Sequence, residues 1–489
     1  VELERGALMN DPGLDTGIPP GRASVVVIGG GISGLALAYW LRKAGTNVTV
    51  LEASDGPGGT MKTTRDGDWL VETGPNSALD TTPLFGELFQ ELGIAAQVLY
   101  AGEGSNNRYI LRGGKLHPLP MGPGAFLSSR LWSWPGKLRL LKEPFIGKAR
   151  HEESIAAFVE RRLGREFLDY AINPFVAGGD ARGPRTLSVR EAFPKLHALE
   201  AKYGGILKGA VLSSRERKKR AETAKNTAKM FSFRDGMETF PRALAASLGS
   251  AFQPGCTVES VIPMRVGARP IHTVTYQQRG VRMQREANVV VYAVPTHAAA
   301  PIIRPIDPGM ASTLSSVYYP PVAEVFVGFP LAQIGRALDG FGFLVPEKEH
   351  RKILGCIWSS SLFPGRAPSG HAALTTFVGG SRSPELAALP EAELRLAVLS
   401  ELRELLGATG EPSIVRIVRW ERAIPQYTLG YRSVLDAMDR FELNFQGSFF
   451  CSNARGGIAV GDCVMSAHKT AGRIGAYLAF SPGSGSRTE

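Results

Sequence analysis

Hydrophobic and polar positions change period most clearly near the start of the chain. Val25 to Ile28 is a short, uncharged, β-branched run, which suits a central parallel strand covered on both faces. Gly29-Gly30-Gly31 follows, and Leu35, Leu37, Ala38 and Leu41 then recur at helical spacing up to Gly45, a helix stop. Asn47 to Leu51 returns to strand, completing a predicted βαβ unit. From about residue 150 to 203 the pattern is helical, through Ile155, Phe158, Val159, Phe167, Leu168 and Ala171. Asn173-Pro174 is expected to break it. Phe231 to Pro241 reads as strand and turn, and Pro241 to Leu248 as the start of a helix. Val289 to Pro295 is a second buried-strand run, and Val325–Phe329 and Leu374–Val378 are strand-like. Leu394, Val398, Leu402 and Leu405 share one face of a predicted helix ending at Leu406. A glycine turn at 456–462 enters a last helical stretch, Ala467 to Leu478. Strands interleaved with helices predict an α/β fold. Its nucleotide-type domain is expected to draw on both ends of the chain, with the other lobes as insertions.

The first turn carries G-x-G-x-x-G as Gly29, Gly31 and Gly34. The first glycine makes a tight turn, the second lets backbone approach a pyrophosphate, and the third lets helix and strand pack closely. The helix start then points free N–H groups at the phosphates. Glu52 stands 18 residues after Gly34, near the roughly 20 expected for a carboxylate that holds a ribose hydroxyl. A strand before, a helix after and the acid in place together predict a dinucleotide site. Ser54 to Thr60 is a second glycine-rich turn, read equally as close backbone approach to a ligand or as a plain surface turn. Glu72-Thr73-Gly74-Pro75-Asn76-Ser77 is a third loop of turn formers.

Composition refines this picture. The chain has 489 residues with 44% hydrophobic side chains, too long for one ordinary core, so two or three lobes are expected. Cys256, Cys356, Cys451 and Cys463 form no C-x-x-C pair and read as reduced thiols. The histidines make no clustered ligand pattern, so no metal is expected. Net charge is +11, with a dense run at Arg215-Glu216-Arg217-Lys218-Lys219-Arg220 followed by Lys225 and Lys229. This run reads first as an exposed loop and second as a basic surface facing anionic lipid. No reader motif accompanies it, so nucleic acid is not an expected partner. No stretch reaches the roughly 18 apolar residues of a membrane helix. Val1 to Ser24 has no period and reads as a flexible leader without transit-peptide character. Phe126, Leu127, Leu131, Trp132 and Trp134 are a candidate membrane-facing cluster, read equally as buried core.

Three segments, VVVIGGGISGLALAYWLRKAG, LEASDGPGG and GGIAVGD, resemble the flavin amine-oxidase superfamily. A narrower set resembles one branch of it, the protoporphyrinogen oxidases. These are VETGPNS at 71–77, NRYI at 107–110, NPFVAG at 173–178, LSVREAFPKL at 187–196, GFGFLVP at 340–346, TTFVGGSR at 375–382, AIPQYTLGY at 423–431 and RGGIAVGDC at 455–463. They span nearly the whole chain in order. The resemblance implies a Rossmann-like, two-dinucleotide-binding FAD domain with an α+β substrate domain and a mainly helical insertion. It implies a leader at 1–23, FAD-binding segments at 24–97, 236–299 and 445–489, and substrate-domain segments at 98–117, 204–235 and 300–444. A helical, membrane-associating lobe would occupy 118–203.

The resemblance also implies residue roles. Gly29, Gly30, Gly31, Ile32, Ser33, Gly34, Glu52 and Ala53 would hold pyrophosphate and adenosine, with Val258 on the adenine side. Gly59, Thr60, Gly74, Pro75, Asn76 and Ser77 would lie along the flavin, and Asn453, Ile458, Ala459, Val460 and Asp462 would close over its ring. Arg108 would pair with a substrate propionate, through a planar fork suited to carboxylates. Asn76, Gly178, Leu344, Ile357 and Phe377 would line a tetrapyrrole pocket. The implied reaction takes six electrons from a porphyrinogen in three flavin turns. Each turn sends a methylene hydride to the flavin, tautomerism redistributes hydrogens, and O2 is reduced to H2O2. No acid/base residue is assigned. FAD would be non-covalent, since no cysteine or histidine sits in an evident linking motif. The implied setting is the surface of a plastid, mitochondrial or bacterial inner membrane. A homodimer and handover of product to a chelatase are also implied.

Three departures from the family pattern stand out. Gly56 replaces a frequent arginine, Gly179-Asp180-Ala181-Arg182-Gly183 reorders a pocket segment, and Ser452 replaces a glycine where it could crowd the flavin. The rival readings are a coproporphyrinogen III oxidase, another flavin amine oxidase or desaturase, and a flavin-free binding protein resembling the Rab-escort proteins.

Overall fold

A computed structural model describes residues 14–15, 23–176, 183–209, 212, 228–266 and 269–479. Five strands form one parallel sheet in the order Phe252–Gln253, Asn47–Leu51, Ser24–Ile28, Val289–Tyr292 and Ser448–Phe450. Val25, Val26, Val27, Val289, Val290 and Val291 are all buried. Both faces of these strands are covered, which explains runs of valine without alternation. Helices Ile32–Lys43, Thr239–Leu248 and Val460–Ala479 pack into the core on one face. The other face carries the antiparallel strands Cys256–Val266, Arg269–Gln278 and Val281–Ala287, with helices Thr296–Ile303, Pro308–Ser315 and Arg432–Asn444. First and last segments of the chain thus meet in one sheet.

A second sheet has seven strands, ordered Ile414–Trp420, Val322–Pro330, His371–Gly379, Gly355–Ile357, Gly342–Leu344, Arg108–Arg112 and Lys115–Pro118. All its pairings are antiparallel except that of Gly342–Leu344 with Arg108–Arg112. Here the period of two is visible. Ala323, Val325, Val327 and Phe329 pack in one cluster with Leu394, Val398 and Leu402 of helix Glu391–Leu406. Val322 and Glu324 leave the opposite face, which is the floor of the cavity described below.

Short helices between Pro123 and Tyr203 form the third part. Asn173-Pro174 does not end the helical run as expected. A π-turn, Leu168–Ile172, hands over directly to a new short helix, Asn173–Val176. Proline is tolerated there because first-turn N–H groups have no intrahelical acceptor. The aromatic cluster divides. Leu131 and Trp132 are buried, with Trp132 stacked on Phe167 at 4.8 Å, whereas Leu127 and Trp134 are exposed. The expected basic run, Arg215 to Arg220 with Lys225, lies outside the described residues.

A fully buried guanidinium organises this lobe. Arg162 is 0% exposed and pairs with Glu143 Oε1 at 3.1 Å and with Glu200. Glu143 also accepts from the backbone N–H groups of Ile206, at 2.7 Å, and Leu207. Truncating one member of a buried ion pair costs about 3–5 kcal/mol, because the partners are left charged and unpaired. Arg162→Leu is expected to lose about that much within the lobe. Amide hydrogen exchange should quicken in 155–162 and 194–203 while helix Ile32–Lys43 keeps its protection. Equal acceleration in both regions would contradict this local role.

Candidate functional site: a glycine cradle leading into an apolar cavity

The first turn is built on close contact. Gly29 adopts φ +107°, and a Cβ on Gly34 would stand only 2.0 Å from the Gly29 carbonyl oxygen. No other residue fits at position 34 without moving the helix off the strand. Gly31 caps helix Ile32–Lys43 with no side-chain capping bond, and a Cβ there would meet nothing within 4 Å. The helix therefore presents N–H groups to open space, the arrangement that receives a phosphate. Ile32 and Ser33 are its first residues, and Ser33 hydrogen-bonds Cys463 in helix Val460–Ala479. The two helix starts lie side by side.

Glu52 follows the strand Asn47–Leu51 directly. Its carboxylate accepts from the Gly30 N–H at 2.6 Å and from the Ser54 N–H at 2.8 Å. Ala53 beside it is exposed. The Cys256 N–H donates to the Glu52 carbonyl at 2.7 Å, which brings the strand bearing Val258 alongside. The second glycine turn folds back over the first. The Gly58 N–H donates to the Gly30 carbonyl at 2.8 Å, and a Cβ on Gly59 would lie 3.3 Å from the Gly31 Cα. The close approach here is to the backbone of the first turn. At Gly56 the ammonium of Lys62 comes within 3.6 Å of a Cβ position. A cation just before the strand Thr63–Asp66 thus stands where the family pattern carries arginine. These features fit the adenosine diphosphate half of FAD: an open cradle of N–H groups, a carboxylate at the strand end and a nearby cation.

Thr60 continues from the cradle into a cavity of about 610 Å³. Gly74 is pressed against Thr60 so closely that a Cβ would meet the Thr60 carbonyl at 1.9 Å. Gly74, Pro75, Asn76 and Ser77 line one end of the cavity together with Asn453, Ile458, Ala459 and Val460. Asn76 braces its own turn, its amide donating to the Gly74 carbonyl at 3.1 Å. Tyr427 donates to the Asn453 carbonyl at 2.6 Å and accepts from the Gly457 N–H, which holds the second loop. Asp462 packs beneath Gly457 and does not reach the cavity lining. Ser452 does not crowd this end. It is buried, and its hydroxyl accepts from the Ala454 N–H at 3.4 Å within its own turn.

Arg108, Leu344, Ile357 and Phe377 line the rest of the same cavity. Gly178 lies outside the described residues, as does the reordered segment through Arg182. The Arg108 guanidinium stands 5.2 Å from the Phe341 ring centroid, and burial pushes its pKa down. Among the described residues no carboxylate pairs with it, and it is the only cation lining the cavity. Sequence reasoning missed several lining residues, notably Phe175, Met230, Glu324, Phe341, Phe343 and Trp420. Trp420 donates its indole N–H to the Thr73 carbonyl at 2.8 Å and so fixes the Gly74 loop. Glu324 carried one legible signal: it is the lone charge in the apolar run Val322 to Phe329.

Comparison with known proteins agrees with this architecture. The family model for flavin containing amine oxidoreductases matches residues 32–475. Protoporphyrinogen oxidase 2, chloroplastic/mitochondrial, of Arabidopsis thaliana is 33% identical over 479 residues, covering 93% of this chain and 94% of that one. Coproporphyrinogen III oxidase of Bacillus subtilis is 25% identical over 461 residues, covering 91% and 96%. Among solved structures, a protein of Exiguobacterium provisionally assigned as a protoporphyrinogen oxidase superposes with a TM-score of 0.76. It is 22% identical and covers 93% of this chain and 99% of its own, a likeness that speaks for the fold alone. Matched along nearly its whole length by both the family model and a relative one-third identical to it, the chain belongs to the flavin-containing amine oxidoreductases and, within them, to the porphyrinogen oxidases.

Proposed function

We propose that this chain oxidises protoporphyrinogen IX to protoporphyrin IX, with non-covalent FAD as hydride acceptor and O2 as terminal acceptor. One observation carries the reading. A largely apolar cavity has the Gly74–Ser77 and Asn453–Val460 loops at one end and, among its described lining residues, the single cation Arg108. Its volume of about 610 Å³ lies within the roughly 300–1,000 Å³ of sites for molecules of this class. A bound flavin would supply the two-electron acceptor. Arg108 would hold a propionate through its fork, while Leu344, Ile357 and Phe377 would pack on the macrocycle and exclude water. One lining cation suits a dipropionate better than the four propionates of coproporphyrinogen. Non-covalent binding is supported by the cysteines, all four of which are buried. Burial pushes the thiol of Cys356, the one that lines the cavity, up to about 12. It stays protonated and unreactive.

The purified chain is expected to be yellow, to release its flavin on acid denaturation, and to form fluorescent porphyrin faster from protoporphyrinogen than from coproporphyrinogen. A reversed preference would favour the second substrate. A colourless, inactive protein would remove the proposal. Arg108→Ala should lose about 2–5 kcal/mol of pairing, since a carboxylate is left stranded. The loss should appear mainly in KM, because the propionate is held alike before and during reaction. Arg108→Lys should recover part of it, and flavin content should stay constant. Full activity in the alanine variant would move the propionate contact elsewhere.

We also propose peripheral attachment to a membrane. Among the described residues no helix is long and apolar enough to cross one. Support comes from a cluster of exposed apolar side chains on the helical lobe, Leu127, Trp134, Leu138, Leu141 and Phe145, the last 89% exposed. Arg130 and Lys142 are exposed among them. Aromatic and basic side chains are favoured at an anionic lipid surface. The chain should sediment with anionic vesicles, and a Trp134→Ser, Leu141→Ser, Phe145→Ser triple variant should not. Equal sedimentation of both would refute this surface.

A further inference from the structure

We propose that Glu324 accepts the pyrrole N–H proton that the macrocycle loses as it is oxidised. The inference rests on the porphyrinogen reading above. It begins from a buried carboxyl with one oxygen left unsatisfied among the described residues. Glu324 is 7% exposed, and among the described residues its Oε2 atom has no hydrogen-bond partner. Such a group is costly to bury, and nearly all buried polar atoms in proteins are partnered. It lies in the middle of strand Val322–Pro330, directly opposite Phe377 on one neighbouring strand and Val418 on the other. Directly opposed residues leave the same face of a sheet. Glu324 and Phe377 both line the cavity, so the unpartnered carboxyl belongs to the wall that receives substrate.

Its surroundings decide its charge. Among the described residues the one charged group that acts on it is Glu72, on the strand Trp69–Glu72; Phe377 and Val418, from the strands on either side, do not titrate. Glu72 is already served, by the Thr63 hydroxyl at 2.6 Å, the Met237 N–H at 2.9 Å and Arg366 at 3.7 Å. Arg366 supplies one positive charge against two buried carboxyls, so the trio is neutral only when it holds a proton. Burial raises both carboxyls: it pushes Glu72 up to about 7, and burial first, then Glu72, push Glu324 up to about 8 from an ordinary 4.5. The carboxyl is therefore poised to give up and regain a proton near neutral pH.

Its place along the cavity matches the chemistry. The strand order puts four strand spacings between Glu324 and Arg108, about 19 Å at roughly 4.8 Å each. Arg108 is thus at the far end. Glu72, beside Glu324, runs directly into the Gly74–Ser77 loop at the proposed flavin end. A porphyrinogen held by a propionate at Arg108 extends its ring toward Glu324. Its pyrrole nitrogens carry only N–H donors, and an ionised carboxylate is an acceptor only. In each turn a methylene C–H bond breaks and hydrogen leaves with its electron pair to the flavin. The cation left behind is shared with the adjoining pyrrole, whose N–H bond breaks with the pair kept on nitrogen. The proton passes to the Glu324 carboxylate, which releases it to water before the next turn. One hydride and one proton leave, which is a two-electron oxidation; over three turns three methylene hydrides and three N–H protons leave, and tautomerism moves one remaining methylene hydrogen to nitrogen, so that four C–H and two N–H hydrogens are lost overall.

Glu324→Gln keeps the shape but cannot take a proton. General-base loss predicts a fall in kcat of about 10²-fold with KM little changed. Wild-type kcat should rise with pH through about 8, because the base acts when ionised. The glutamine variant should lose that limb, and Glu324→Asp should recover part of the rate. A readout independent of turnover is stability against pH. The folded chain holds a proton that the unfolded chain releases above 4.5, so this contribution is complete below 4.5 and is lost as pH rises through about 8. The melting temperature of Glu324→Gln should therefore gain on wild type across that window. A flat wild-type kcat profile around pH 8, or an unchanged limb in the glutamine variant, overturns the proposal. The wild-type profile remains decisive if the variant fails to fold. A wild type that oxidises no porphyrinogen would instead remove the function on which the inference rests.

Discussion

The approach of helix Ile32–Lys43 to strand Ser24–Ile28 constrains everything built around it. It is possible because position 34 has no Cβ to strike the Gly29 carbonyl. That contact sets where the helix begins and hence where its free N–H groups point. It also lets helix Val460–Ala479 lie against the first helix, with Ser33 bonded to Cys463. The start of the last helix is thereby carried to the cavity, where Val460 and Gly461 line the wall. Segments more than 400 residues apart in sequence become neighbours through one steric allowance.

The seven-stranded sheet does a different job with a simpler rule. Alternation puts Ala323, Val325 and Val327 into the core beneath helix Glu391–Leu406, and leaves Val322 and Glu324 to face the cavity. The sheet needs the helix to cover its first face. Its second face can then be shaped for a ligand. Residues from five of its strands, Trp420, Glu324, Phe377, Ile357 and Leu344, line one cavity although the strands come from distant parts of the chain. Arg108 joins them from a sixth strand, paired in parallel with Gly342–Leu344.

Two of the places where charge is buried handle it differently. In the helical lobe Arg162 meets Glu143 and Glu200, and further backbone N–H groups complete the Glu143 carboxylate. This group is satisfied from within and holds the lobe together. Beside the cavity Glu72 is well served, whereas Glu324, in the cavity wall, has among the described residues an unpartnered oxygen. Full satisfaction marks a structural network, and an open valence in a cavity wall marks a place for a ligand.

The sequence by itself determined the βαβ unit, the three glycines, Glu52 and the later glycine turn. These depend on local sterics, on runs of β-branched residues and on short spacings, all of which are written in order along the chain. The loop Gly74–Ser77 and the residues Arg108, Leu344, Ile357 and Phe377 were legible only through resemblance, since nothing local distinguishes them from turn, surface or core. Tertiary structure decided the rest. It set Lys62 over Gly56, turned Ser452 inward, and split the aromatic cluster into buried Trp132 and exposed Trp134. It also brought Trp420 to Thr73 and Glu324 to Glu72. Each of these depends on which strands are neighbours and on which face a side chain leaves. Pairing between distant strands depends on the packing of the whole chain, so no short window of sequence contains it.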